Sequence, residues 1–299
     1  MTSDTKIGVV VNPVSGAGAH RDKGRERVEV ARRSIALLGC SADVRVTERV
    51  GHARELARSL VDAGASRVIA WGGDGTINEI APVMIASAVP LGIIPSGSGN
   101  GLATELGLLP EPERAFKVAV RAEPKSVDAG EINGTLFVNL AGIGFDARVA
   151  HEFHRLPAGS RGGLPYLTIG LRAILSYKAA TYQVQLDAAE AIRLTALLIV
   201  FANARQYGNG AIVAPRALPD DGRLDAVVVD DRSLVKHVWR VRHLFRGTAD
   251  RAEGVLTRPV ERAVVECGQP MAIHADGEPV PAATRAEVRV LPAAIRIAY

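Results

Sequence analysis

Cysteine is scarce in this chain of 299 residues: Cys40 and Cys267 are the only two. They form no CxxC pair and no metal-ligand spacing, which excludes a disulfide scaffold and a zinc ribbon and suits a reducing compartment. No uncharged apolar stretch reaches the roughly eighteen residues that a bilayer-spanning helix needs. The longest apolar run, Leu194 to Ala204, has the length of a strand. No basic segment followed by an apolar one precedes the first strand at Ile7, so the start does not read as a signal peptide. There is no RNP motif, no zinc-finger spacing and no interleaved basic and aromatic stripe, so nucleic acid is not an expected partner. No GxGxxG loop follows the first strand, which argues against a dinucleotide-dependent oxidoreductase. Internal repeats and low-complexity tracts are also missing. What is present is a globular composition, 47% apolar and 23% charged, enough for a sizeable core. The net charge of +4 is too small to call for nucleic acid, but it favours anionic phosphates or a membrane surface.

The first 120 or so residues alternate strand and helix. Strands are expected at Ile7–Asn12, Ala42–Val46, Arg67–Trp71 and Leu91–Pro95. Helices are expected at His20–Leu38, His52–Ala63, Ile77–Ala88, Leu102–Leu106 and Glu113–Arg121. That alternation predicts a parallel α/β sheet. Near Pro124 the pattern changes and strands dominate: Val127–Ile132, Leu136–Leu140, Tyr182–Asp187, Ala191–Ala202, Leu224–Val229, Val260–Glu266, Met271–Ala275 and Ala286–Leu291. Helices are expected among them at Ala147–Arg155, Pro165–Tyr177 and Leu234–Phe245. Asn133-Gly134 is a hairpin signal. The second half therefore reads as an antiparallel, β-rich domain.

Three glycine-rich junctions each join a strand to a helix. The first, Asn12-Pro13-Val14-Ser15-Gly16-Ala17-Gly18, lets backbone N–H groups approach an anion; without Gly-Lys-Ser/Thr it is not a Walker A loop, and a plain turn is the alternative. The second, Trp71-Gly72-Gly73-Asp74-Gly75-Thr76-Ile77-Asn78-Glu79, is more specific. Its three glycines imply close backbone approach to a ligand. Asp74 can hold a cation or orient a nucleophile, and Thr76 can cap the next helix or bond a phosphate oxygen. The third runs Pro95-Ser96-Gly97-Ser98-Gly99-Asn100-Gly101. Three such loops at the same ends of neighbouring parallel strands converge where open α/β sheets bind nucleotides.

These motifs, in this order and spacing, resemble the diacylglycerol kinase catalytic-domain family, which includes bacterial soluble lipid kinases and the sphingosine kinases. The likeness continues through Asn139-Leu140-Ala141-Gly142-Ile143-Gly144-Phe145-Asp146, through Asn203 to Gly210, Ala214-Pro215 and Asp220-Asp221-Gly222-Arg223-Leu224-Asp225, and through Asp276-Gly277-Glu278. The resemblance implies an α/β plus β fold. Its N-terminal nucleotide-binding α/β domain, like that of NAD kinases and diacylglycerol kinases, spans residues 1–124 with a C-terminal return at 287–299. Its C-terminal β-rich sandwich domain spans 125–286 and takes the lipid. It also implies an ATP- and Mg²⁺-dependent kinase that passes the γ-phosphate to a lipid hydroxyl, that of diacylglycerol or a related lipid. ATP would sit on Asn12, Pro13, Ser15, Gly16, Thr47, Gly72, Gly73, Asp74, Gly75, Thr76, Asn78, Glu79, Ser98 and Asn100. A structural magnesium would be held by Asp221 with the carbonyls of Leu218 and Arg223. The catalytic set implied is Glu278 as general base, with Asp276 and Asp74. Elementary chemistry agrees, because phosphoryl transfer needs the phosphate positioned, its charge neutralised and the attacking hydroxyl oriented. Asp276 and Glu278 share one side if that stretch is extended, and a turn at Gly277 would separate them.

Gly101 departs from the many diacylglycerol kinases that carry Asp there and is closer to the sphingosine kinases, whereas Gly-Gly-Asp-Gly-Thr is closer to the diacylglycerol branch. The acceptor alternatives are therefore a sphingoid base or phosphatidylglycerol. An NAD kinase and a non-catalytic nucleotide- or lipid-binding regulator are the rival readings. The expected partner is a lipid acceptor at a membrane surface, met by a cytoplasmic, peripherally associating protein; a homodimer is allowed for. Arg155 to Lys178, with Arg161 and Arg172 among Tyr166, Leu167 and Ile174, reads either as an interfacial lip or as core packing with a charged edge. The basic stretch Arg232 to Arg251 reads as a solvated helix face, with anionic lipid as the alternative.

Overall fold

The computed structural model describes residues 6–16, 22–155, 168–170, 172–174, 177–208, 210–231 and 242–299. Most of the Arg155–Lys178 segment, residues 232–241 of the Arg232–Arg251 segment, and Ala17-Gly18 lie outside the described residues, as do part of the helix expected at Pro165–Tyr177, which is helical at 168–170 and 172–174, and most of the one expected at Leu234–Phe245.

The chain divides into two compact units, residues 1–127 with 293–299, and residues 128–292. In the first unit, strands β1 (Lys6–Val11), β2 (Ser41–Val46), β3 (Arg67–Gly72) and β4 (Leu91–Pro95) alternate with helices α1 (Asp22–Leu37), α2 (His52–Asp62), α3 (Asp74–Ser87), α4 (Gly101–Glu105) and α5 (Pro112–Arg121). The strands are parallel in the order β4-β3-β1-β2. Their β-branched runs are buried on both faces, as a sheet covered by helices requires. Helix α2 buries Ala53, Ala57 and Leu60, one stripe at 3.6-residue spacing. Helix α5 starts on Pro112, whose missing N–H costs nothing in a first turn. Trp71 at the end of β3 meets Phe116 of α5 edge-on at 5.3 Å and anchors a cluster with Ile7, Val9, Val11 and Ile94.

The second unit holds β6 (Thr135–Phe137), β7 (Leu140–Gly144), β8 (Ala180–Leu186), β9 (Ile192–Ala202), β10 (Leu224–Asp230), β11 (Val255–Val260), β12 (Arg262–Ala275) and helix α6 (Phe145–His154). Strand β5 (Pro124–Ile132) leads into it, and most of β13 (Glu278–Ala298) belongs to it. Its pairings in the described residues are antiparallel, and Asn133-Gly134 turns β5 into β6 as expected. Besides β10 and β13 respectively, the long strands β9 and β12 each pair with both β7 and β8. Leu198–Ala202 and Ile273–Ala275 flank β7, whereas Ile192–Ala196 and Ala263–Cys267 flank β8. Phe137, Tyr182, Phe201 and Ile273 fill the core so enclosed.

Three differences from the expected elements have physical causes. The two strands expected at Val260–Glu266 and Met271–Ala275 are one strand, β12, which carries an irregularity between Glu266 and Met271 around Gly268-Gln269-Pro270. Ala286–Leu291 is part of the longer β13, whose Glu287, Val288 and Arg289 pair with β12 and so keep residues 287–292 in the second unit. Strand β13 ends with Ile297 and Ala298 beside Leu91 and Gly92 of β4. Strands β7 and β11 are not among the expected elements: Leu-Ala-Gly-Ile-Gly carries two glycines in five residues, and Pro259 interrupts the pattern of the other.

Candidate functional site

In the first unit, three junctions at the carboxyl ends of β1, β3 and β4 lock together. The Asn12 side chain holds two of them. Its Oδ1 accepts from Val14 N at 3.1 Å, and its Nδ2 donates to Thr76 Oγ1 at 2.9 Å. Ser15 and Ser96 share a hydroxyl hydrogen bond of 2.7 Å, tying the first loop to the third. Ser96 N donates to Gly72 O at 2.9 Å, tying the third to the second. Asn100 closes its own loop, accepting from Gly97 N at 2.8 Å and donating to Gly97 O at 2.9 Å. Arg27 of α1 grips the first loop through Asn12 O, Ser15 O and Ser15 Oγ, with its guanidinium 5.6 Å from the Trp71 ring centre. Burial there lowers the Arg27 pKa.

The glycines allow this closeness. A Cβ on Gly73 would stand 2.9 Å from Gly97 Cα, one on Gly97 2.6 Å from Gly73 Cα, and one on Gly72 2.3 Å from Thr76 Oγ1. Gly73 caps α3 with no side-chain bond to the helix's first N–H groups. That leaves a helix N-terminus of the kind that binds phosphate. Thr47 follows β2 and hydrogen-bonds through its N–H to Val11 O at 2.9 Å. Gly16, Arg27, Trp71, Pro95, Gly97 and Asn100 contribute to the wall of a cavity of about 400 Å³. Glu79 is placed differently from its sequence reading as a nucleotide residue: both carboxylate oxygens cap α2, accepting from Gly51 N at 2.8 Å and Ala53 N at 3.0 Å.

In the second unit, Asp276-Gly277 is the hairpin turn between β12 and β13, with Ala275 opposite Glu278. Both turn residues have positive φ, +50° and +82°. The stretch is therefore not extended, and the shared strand face for Asp276 and Glu278 is not what forms. Asp-Gly suits this turn because both types tolerate the left-handed region. The Asp276 carboxylate accepts from Val138 N at 2.8 Å and from Asn139 N and Leu140 N at 2.9 Å each. Burial raises its pKa, against the pull of those three donors. The carboxylate anchors backbone, which is a positioning place for a residue read from the sequence as catalytic. Glu278 is half-exposed and pairs with His154 Nδ1 of α6 at 3.2 Å.

The Leu218–Arg223 segment lies beside Asp128. Asp128 N donates to Pro219 O at 2.7 Å, and Gly222 N donates to Asp128 Oδ2 at 2.7 Å. Asp221 Oδ1 accepts from Arg223 N at 3.0 Å. Burial, with help from the charge of Asp128, raises the Asp221 pKa. Asp225 is 7% exposed, and burial followed by the charge of Asp221 pushes its pKa to about 6. Among the described residues no group of three His, Cys, Asp or Glu is disposed to hold a metal. A cation at Asp221 would complete its shell with backbone carbonyls and water, as magnesium commonly does.

Comparison with known proteins decides the family. Residues 6–132 match the diacylglycerol kinase catalytic domain, and residues 139–299 match the YegS C-terminal NAD kinase beta sandwich-like domain. The chain is 31% identical to a diacylglycerol kinase of Mycobacterium tuberculosis, covering 98% of this chain and 94% of that one. It belongs to the diacylglycerol kinase family of lipid kinases. A YegS-like lipid kinase of Chromohalobacter salexigens is 32% identical over 89% of this chain and 85% of its own. In fold, the lipid kinase is similar to a diacylglycerol kinase structure from Bacillus anthracis, with a TM-score of 0.73 and 17% identity over 100% of this chain and 98% of that one. An ATP-bound NAD kinase from Archaeoglobus fulgidus has a TM-score of 0.53 and 16% identity over 96% of this chain and 90% of its own.

The lipid kinase's motifs acquire partners that its sequence did not name. Arg27 carries no motif, yet it fastens the first loop. Asp146 and Gly142 belonged to a recognised segment without a stated task, and His274 lies in a strand two residues before Asp276. In the structure these three residues are in contact, under the Asp276-Gly277 turn. Asp225 stood inside a recognised segment, but only its burial accounts for its raised pKa.

Proposed function

We propose that this lipid kinase transfers the γ-phosphate of ATP, with Mg²⁺, to the hydroxyl of diacylglycerol or a closely related lipid. The observation that carries the reading is the interlocked trio of loops in the first unit, where Gly73 and Gly97 approach so closely that neither position accepts a Cβ. Such a cradle, beside an uncapped helix N-terminus, fits a phosphate chain. Asp221 and Asp225, both pushed up by burial, fit a cation. When bound, ATP supplies the phosphoryl group and Mg²⁺ offsets its charge. The residues of the chain supply the rest. Asn12, Thr76 and the N-terminus of α3 hold and orient the phosphates. Asp74 opens α3 at the loop where a metal-bound phosphate would need a carboxylate. Glu278, half-exposed and paired with His154, takes the proton from the lipid hydroxyl at its carboxylate. The acceptor lies in a membrane, so the kinase binds that surface peripherally. No helix among the described residues is long and apolar enough to cross a bilayer.

The test is transfer of label from [γ-³²P]ATP to mixed micelles holding diacylglycerol, ceramide, a sphingoid base or phosphatidylglycerol, with NAD as a soluble arm, each with and without Mg²⁺. Metal-dependent label in phosphatidic acid is expected. D74A and E278Q should each lower kcat by about 10²- to 10⁴-fold with the fold intact. Label in NAD alone, or full activity in both variants, would overturn the reading.

A further inference from the structure

Beneath the Asp276-Gly277 turn lies a buried polar group that the mechanism above leaves unused. His274 is 2% exposed and Asp146, in the first turn of α6, is 5% exposed. His274 Nε2 lies 3.2 Å from Asp146 Oδ2, and Gly277 N donates to His274 Nδ1 at 3.2 Å. Tyr207 donates its hydroxyl to the same Asp146 oxygen at 3.0 Å, and Ala147 N donates to Asp146 Oδ1 at 2.8 Å.

The donors and acceptors admit one arrangement. A backbone N–H can only donate, so Nδ1 of His274 must be an acceptor. An imidazolium, or a neutral ring with its proton on Nδ1, would set two donors against each other. His274 is therefore neutral with its proton on Nε2, and that proton points at Asp146. The carboxylate fixes the tautomer, and the tautomer provides the acceptor for the turn. Gly142 makes room for the pair: a Cβ there would stand 2.0 Å from Asp146 Oδ2 and 2.5 Å from His274 Nε2. Helix α6 grips the same hairpin at two further points, through His151 Nε2 to Ile273 O at 2.8 Å and through His154 to Glu278.

We infer that Asp146 and His274 are positioning residues, a carboxylate–imidazole pair that holds the turn at Gly277 and so sets the place of the Glu278 carboxylate. The inference rests on the reading of Glu278 as general base and adds the residues that aim it. Displacing a reacting group by about 1 Å can cost on the order of 10²-fold in rate, so a bond to the neighbouring residue's backbone is a sensitive place to act.

The experiment uses the full chain and three variants of His274, with the diacylglycerol micelle assay and ¹⁵N-histidine NMR. Asn places an oxygen where Nδ1 stood and keeps the bond from Gly277. Gln reaches the place of Nε2, keeps Asp146 and abandons Gly277. Ala keeps neither. H274A and H274Q should lose kcat by about 10²-fold with the KM for ATP changed by less than about twofold, while H274N stays within about fivefold of the parent. The ¹⁵N spectrum should show His274 protonated on Nε2 in the parent. H274N as slow as H274A, a parent His274 protonated on Nδ1, or a KM for ATP rising in step with the lost rate would overturn the inference. E278Q is measured alongside. Parental activity in that variant overturns the general-base reading alone, because the tautomer and the H274N comparison report on the linkage without it.

Discussion

At the scale of single residues, the loops of the first unit are governed by absent side chains. Gly97 Cα and Gly73 Cα face each other so closely that a Cβ on Gly97 would also stand 2.8 Å from Asn100 Oδ1, an atom already held by Gly97 N. Neither neighbour can swing away as the tip of a long side chain could. G97A should therefore part the second and third loops and weaken ATP binding by at least about tenfold, read by calorimetry, while the melting temperature hardly moves. G268A, where a Cβ meets nothing within 4 Å, is the matched control and should bind ATP like the parent. Equal affinity in the two variants would remove the cradle argument. These glycines were legible in the sequence, because few folds need Gly-Gly-Asp-Gly between a strand and a helix. Arg27, Asp225 and the partners of His274 were not. Each is an ordinary residue type in an ordinary stretch, and its task arises only from what the fold brings within about 3 Å of it or shuts away from water.

At the scale of elements, the β12–β13 hairpin shows how a turn is held from outside. Asp276 takes three backbone N–H groups from Val138, Asn139 and Leu140, and its own N–H donates to Leu140 O at 2.8 Å. One side chain thus ties the hairpin to the start of β7. D276A leaves three donors without their acceptor, each costing about 1 kcal/mol or more if water cannot replace it. A loss of roughly 3 kcal/mol is expected, read as a lower urea midpoint at unchanged slope. A midpoint within error of the parent would mean that the turn holds itself. The strand–helix alternation of the first unit could be read from the sequence because each element there declares its own period. The second unit hid more. Strand β7 is two-fifths glycine, and nothing local says that β9 and β12 are each long enough to serve both β7 and β8. Antiparallel order of this kind depends on partners far apart in sequence, whereas β1 to β4 pair among near neighbours.

At the scale of the whole molecule, stability should report the cation. Asp225 is buried with its pKa pushed from 3.8 to about 6, and Asp221 moves in the same direction. A carboxyl whose folded pKa lies above its unfolded value holds its proton more tightly when folded. It therefore costs stability once ionised, and that cost fades as the pH falls through 6 towards 4. For Asp225 the full cost above pH 6 is about 3 kcal/mol as an upper bound. In EDTA, D225N should be more stable than the parent at pH 7.5, and the difference should shrink steadily as the pH approaches 4.5. A magnesium ion held at Asp221, with Asp225 near by, offsets the same charge. Added Mg²⁺ should therefore raise the parent's melting temperature at pH 7.5, do so much less at pH 5, and leave D225N nearly unmoved. Scanning calorimetry over that grid of pH and metal separates the possibilities. Parent and D225N curves that stay parallel across pH would show that Asp225 is solvated and ordinary. A pH-dependent difference that Mg²⁺ fails to close would show the buried charge to be real and the cation to bind elsewhere.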